Sequence, residues 1–168
     1  MFPMAKLEGY VKSADRVILE LDMDDPKTMQ VMAAGAVIPG GKTFTEFLTT
    51  EELAKVDAMF KNTLGAPVEN LKTIKPFILQ VMLVTNPKVI GCAAPGSYET
   101  SFVEMAAANK KPVEGRETAE FQFQAIDKTP LDKQAKGLVK IAQDPEKAFN
   151  DFKSLVAVYK LQDAAKLY

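Results

Sequence analysis

The chain has 168 residues, 47% hydrophobic and 26% charged, the composition of a folded chain rather than a disordered one. It contains no His, no Trp and one Cys, which excludes Ser-His-Asp and Cys-His nucleophiles, His-ligated zinc and any intrachain disulfide. With 21 Lys and Arg against 22 Asp and Glu the net charge is -1, and no basic excess points to nucleic acid.

A single domain over residues 1–168 is expected. A domain of that size buries roughly two-thirds of its unfolded surface and needs neither metal nor disulfide to fold. Residues 1–8 lack the charged-then-apolar pattern of a signal peptide. The longest apolar stretch, Pro76–Val84, falls far short of the roughly 18–20 residues a membrane span needs. A soluble chain without a membrane span is expected, and its compartment is left open.

Met4, Leu7, Tyr10 and Val11 recur at helical spacing and predict a short amphipathic helix ending near Ser13 and Ala14. From Arg16 the period changes. Val17, Ile18, Leu19 and Leu21 make a mostly apolar, β-rich run that ends at Asp24-Asp25-Pro26 and predicts a short buried strand. A Met- and Ala-rich helix over 27–34 follows, then a turn at Pro39-Gly40-Gly41. Thr50, Glu51 and Glu52 open a helix with Leu53, Val56, Met59, Phe60 and Leu64 on one face and Gly65 as its stop. Pro76 suits the first turn of an apolar helix that ends at Asn86-Pro87.

Ser97 caps a predicted helix through Asn109, with Phe102, Met105 and Ala106 inward. Residues 111–117 predict a second short strand, and Thr118 opens a helix carrying Phe121, Ala125 and Ile126. Pro130 and Pro145 start two last helices, the final one with Phe149, Phe152, Leu155, Val156 and Tyr159 inward. The fold class is α+β, predominantly helical, with a short two-stranded sheet covered by about eight helices. Each strand precedes a helix, so the pair is expected to be parallel and buried.

Several motifs resemble chemistry. Residues 36–43 are one residue from a phosphate-binding Walker A loop, but Ala36 stands where Gly is needed and Pro39 removes an N–H donor. This segment reads as a loop with a solvated Lys42. Asp22-Met23-Asp24-Asp25 begins like a calcium loop, yet Pro26 and Lys27 occupy its fifth and sixth positions, which rejects an EF-hand. Acidic residues leaving a strand still matter, because ligands gather at the carboxyl ends of parallel strands. If Glu20, Asp22 and Glu117 converge there, they form a weak hard-cation site; otherwise they are a solvated turn and helix start. The methionines read as core filling rather than soft-metal ligands, and Cys92 as a buried thiol.

Ordered landmarks run through the chain. Val17-Ile18-Leu19-Glu20-Leu21-Asp22, Gly41-Lys42-Thr43-Phe44 and Ile74-Lys75-Pro76-Phe77 come first. Ser97-Tyr98-Glu99-Thr100-Ser101-Phe102, Met105-Ala106, Lys110-Lys111-Pro112-Val113 and Gly115-Arg116-Glu117-Thr118-Ala119-Glu120 with Gln122 follow, continuing through Pro130, Gln134 and Leu138. In order and spacing they resemble the TraB/GumN family, whose animal relatives are the Tiki proteases.

That resemblance implies a compact α/β domain with a helical insertion between strands. It also implies kinship with metal-dependent peptidases, a divalent metal in the intact family domain, and a peptide substrate by analogy. Many bacterial members are uncharacterised exported or cell-envelope proteins. The family's metal site uses two Gly-x-x-His motifs, and neither is present here. Arg116 also replaces an apolar residue usual between Gly115 and Glu117. The chain is therefore expected to be the central part of such a domain, binding no cofactor alone and inactive as a peptidase. The family's acidic positions, carried over as candidate catalytic residues, are Glu20, Glu99 and Glu117. The alternative is a non-catalytic helical binding module. Short strands with open edges also predict a homo-oligomer.

Overall fold

The computed structural model describes residues 4–93 and 95–161, with Met4, Ala5 and Lys6 described by their backbone alone. The expected inward side chain of Met4 lies outside that description. In chain order the helices are α1 (Met4–Ser13), α2 (Pro26–Gly35), α3 (Thr50–Thr63), α4 (Pro76–Val84), α5 (Pro87–Ile90), α6 (Tyr98–Ala108), α7 (Ala119–Asp127), α8 (Leu131–Gln143) and α9 (Pro145–Lys160). The strands are β1 (Val17–Leu19), between α1 and α2, and β2 (Val113–Gly115), between α6 and α7. The fold is α+β and predominantly helical, with one short parallel pair, as its sequence leads one to expect.

The chain divides into two compact units. The first holds residues 1–36 and 95–128, and the second holds 37–94 and 129–168. In the first unit β1 and β2 run parallel, Val17 opposite Val113, Ile18 opposite Glu114 and Leu19 opposite Gly115. Val17 N–H donates to Pro112 O at 2.9 Å, and Leu19 O accepts from Arg116 N–H at 3.0 Å. Glu117 N–H then donates to Glu20 O at 2.9 Å, which carries the pairing past the strand end. This continuation needs Gly115. A Cβ there would stand 2.6 Å from Asp22 N and 3.2 Å from Leu21 C, both backbone atoms that cannot rotate away. Helices α2, α6 and α7 of this unit start on polar caps. Asp25 Oδ1 accepts from Lys27 N–H at 2.9 Å, Ser97 Oγ from Thr100 N–H at 3.2 Å, and Thr118 Oγ1 from Phe121 N–H at 3.2 Å. Helices α2 and α7 meet where Gly35 faces the ring of Phe123.

The second unit carries the large apolar core. Val56, Met59 and Phe60 of α3 pack with Leu79 and Leu83 of α4, and with Ala135, Leu138, Val139 and Ala142 of α8. Phe44 joins them, its ring edge-on to Phe60 with centroids 6.4 Å apart. Helix α3 begins with a reciprocal cap: Thr49 N–H donates to Glu52 Oε2 at 2.8 Å, and Glu52 N–H to Thr49 Oγ1 at 3.2 Å. It ends where Gly65, at φ +74°, turns its N–H back to Phe60 O at 3.0 Å. Lys136 of α8 reaches both carboxylate oxygens of Glu52 at 2.7 Å.

Some expectations need correction. The strands are not fully buried: Ile18 is 54% exposed and Gly115 is exposed, because a two-stranded sheet has too few neighbours to cover both faces. Phe121 and Ala125 point outward on α7. The inward stripe there is Ala119, Gln122, Phe123 and Ile126, set by the cap at Thr118. On α9, Phe149 packs against the core while Leu155 and Tyr159 are exposed. Among the methionines, Met59 is buried but Met29 and Met82 are exposed. Cys92 is an exposed thiol, in the turn that follows the left-handed Gly91. Residues 39–41 form a single 3-10 turn with Lys42 exposed. Val37 makes only an isolated antiparallel bridge to Ile74, so this loop does not leave a sheet strand.

Candidate functional site

The acidic residues singled out in the sequence lie in the first unit. Glu20 follows β1 directly, Glu99 sits in the first turn of α6, and Glu117 lies between β2 and the Thr118 cap of α7. Two shallow, open hollows meet at Glu20. One, of about 250 Å³, is lined by Glu20, Leu21, Met23, Ser97, Glu99 and Gln122. The other, of about 450 Å³, is lined by Ile18, Leu19, Glu20, Arg116 and Glu117. The fold thus brings Glu20 and Glu99 to one hollow, and Glu20 and Glu117 to the other. Asp22 lines neither.

Each carboxylate of the smaller hollow is held by a neighbour. Gln122 Nε2 donates to Glu20 Oε1, fixing a side chain that leaves the strand against one on α7. Ser97 Oγ donates to Glu99 Oε2 at 2.6 Å while accepting from Thr100 N–H. The Ser97 hydroxyl, then the residue's own backbone N–H, holds the Glu99 carboxyl below the usual carboxylate range. At neutral pH Glu99 is therefore an acceptor, not a proton donor. Asp22 behaves oppositely. Its Oδ1 is enclosed without a hydrogen-bond partner, and a hydrogen bond shared with Asp24, followed by burial, raises its carboxyl above the usual value.

Ser97 gives a direct test of this corner. The lowered Glu99 value means that the Ser97–Glu99 contribution is present above the unfolded carboxyl value and is lost as pH falls through the lowered folded value. Ser97→Ala removes the α6 cap at every pH and the Glu99 bond only where Glu99 is ionised. The expected cost is about 1 kcal/mol near neutral pH and less in acid. Urea unfolding of both proteins at several pH values checks this; a cost that grows in acid would contradict it.

Sequence reasoning missed Gln122 as a site residue. Nothing local links it to Glu20; only the parallel pairing of β1 with β2 brings the start of α7 to the end of β1. Ser97 was legible as a cap but not as the partner of Glu99. Gly115 could have been read as a close-approach glycine, being a lone Gly inside a strand.

Residues 2–168 match the model of the TraB/PrgY/gumN family. The chain belongs to the TraB/PrgY/gumN family. That match spans both compact units and agrees with the resemblance read from the ordered landmarks. No curated protein and no solved structure matches the chain.

The metal implied by resemblance to this family can be tested against the donors present. Among the described residues no three Asp, Glu or Cys side chains gather where they could hold a metal ion, and the sequence supplies no His. Glu20, Asp22 and Glu117 are not drawn together as one ligand set. The donors of this chain do not fit a His-based metal centre. Also among the described residues, no helix is long and apolar enough to cross a membrane.

Proposed function

We propose that this TraB/PrgY/gumN-family chain binds a cationic peptide segment in the hollow between Glu20 and Glu99 and does not cleave it. The observation that carries this reading is the state of the two carboxylates. Glu99 is held ionised by Ser97, Glu20 is anchored by Gln122, and Leu21 and Met23 supply an apolar wall. A guanidinium or ammonium group on an aliphatic stem matches that combination, with charge at its tip and methylenes along its length.

Hydrolysis needs more than acceptors. The peptidase route that the family resemblance implies uses a His-bound metal to polarise the carbonyl and activate water, and this sequence has no His. A carboxylate held below its usual range is also a poor general acid at neutral pH. The kinship with peptidases that the family resemblance implies supports a peptide as the ligand class, whereas the donor set supports binding without turnover.

The test is equilibrium binding of short Arg-containing peptides. Glu20→Gln combined with Glu99→Gln should weaken binding about tenfold, the loss of roughly one charge-assisted hydrogen bond. Gln keeps the size and an acceptor oxygen, so the loss reports charge. Equal binding by the doubly substituted protein would sink the proposal.

A further inference from the structure

We propose that Arg116 binds a carboxylate next to the cationic residue of the same peptide, so that the two hollows together take a segment carrying both charges. This rests on the reading of the Glu20–Glu99 hollow as a peptide site. Both hollows belong to the first unit and meet at Glu20, so the residue beside one seated in the smaller hollow reaches the larger. Arg116 is the one cation among the residues that line either hollow. Strand pairing fixes its backbone there: Arg116 N–H donates to Leu19 O at 3.0 Å, and the next N–H, of Glu117, to Glu20 O at 2.9 Å. Its guanidinium is uncommitted. Among the described residues no carboxylate pairs with it, whereas Arg16, the other arginine of the chain, grips both oxygens of Glu114 at 2.8 and 3.1 Å. A free guanidinium presents a planar fork that matches a carboxylate.

The balance of charge selects the ligand. Glu20, Glu99 and Glu117 line the two hollows with Arg116, three carboxylates against one guanidinium. A lone anion is repelled by that excess, and a lone cation gains nothing from Arg116. A peptide with its cation between Glu20 and Glu99 and its carboxylate on Arg116 meets opposite charge at both places. The tether also raises the effective concentration of the carboxylate at Arg116. Ile18, 54% exposed beside it, offers apolar surface to the intervening methylenes. An acidic side chain and the peptide's own C-terminus both supply that carboxylate.

Equilibrium binding of short N-acetylated peptides tests this. Each contains one Arg. In amidated pairs, Asp or its neutral match Asn stands beside the Arg, on either side in turn; a last pair ends on Arg, as free carboxylate or amide. In at least one pair the acidic peptide should bind about threefold to fivefold tighter than its match, the size of an exposed ion pair. High salt should shrink that advantage. The pair that shows it tells a side chain from a C-terminus as the source. Arg116→Gln should erase the advantage, and Arg116→Glu should turn it into a preference for the neutral match. Circular dichroism establishes that each variant is folded. If the neutral peptides bind and no acidic one binds tighter, the Arg116 subsite is overturned while the Glu20–Glu99 reading stands. An advantage that survives Arg116→Gln overturns it equally. Failure of every peptide to bind overturns both.

Discussion

Phe60→Ala is expected to destabilise the second unit by about 3–5 kcal/mol. Phe60 is wholly buried on α3, with Phe44 edge-on to its ring and Leu79, Leu83 and Leu138 in the same cluster. Truncation removes the transfer energy of the ring and leaves a cavity that surrounding helices fill only in part. Because 3-10 segments and helices from distant parts of the sequence share this core, collapse around the gap is limited. Phe60→Leu should cost clearly less, since it keeps most of the apolar volume. Urea denaturation followed through signals of α3 and α8 reads both values. A cost below about 1 kcal/mol for Phe60→Ala would mean that this cluster does not hold the unit together.

Gly115→Val should cost about 2–3 kcal/mol through a different mechanism, overcrowding of backbone by a side chain. At Gly115 even the first carbon meets Asp22 N, Leu21 C and Glu117 O, all backbone atoms. Relief requires the segment after β1 to move away from β2, which breaks the bond from Glu117 N–H to Glu20 O. Hydrogen exchange locates the damage. The amides of Val17, Arg116 and Glu117 should lose protection, whereas those of α3 and α8 keep theirs. Protection unchanged at the strands would contradict the close approach. Glu20 should also lose its fixed relation to Gln122, linking this packing defect to the candidate site.

Much of the fold could be read from local chemistry. The caps at Thr49, Ser97 and Thr118, the prolines at Pro76 and Pro145 and the stop at Gly65 each act within one turn of the helix they bound. Sequence neighbours alone reveal them. The apolar stripe of α3 is similarly legible, because its period matches the helix and its buried face is continuous. Failures came where burial depends on distant neighbours. Ile18 looks like a core residue until the sheet proves to be only two strands wide. Leu155 and Tyr159 repeat at helical spacing on α9 without being buried. On α7 the apolar pattern alone does not tell Phe121 from Phe123, and it is Phe123 that lies inward while Phe121 is exposed.

The site divides along the same line. Glu20, Glu99 and Glu117 could be singled out through the family landmarks around them, and the two hollows join them in pairs through Glu20. The expected ligand set of Glu20, Asp22 and Glu117 required convergence across the sheet, which no local pattern encodes. The partner that fixes Glu20 is Gln122, more than one hundred residues away in sequence. Long-range hydrogen bonds of this sort follow from strand pairing and become visible only once register is known.

The central claim, a peptide-binding family member without hydrolytic chemistry, meets its most direct test in a cleavage assay. The purified chain would be incubated with Arg-containing fluorogenic peptides near neutral pH, in added zinc or manganese and in chelator. The account predicts no cleavage above a control purification under any of these conditions, by the same protein that binds the peptides. Cleavage that depends on added metal, disappears with chelator and is lost in Glu20→Gln or Glu99→Gln would contradict it.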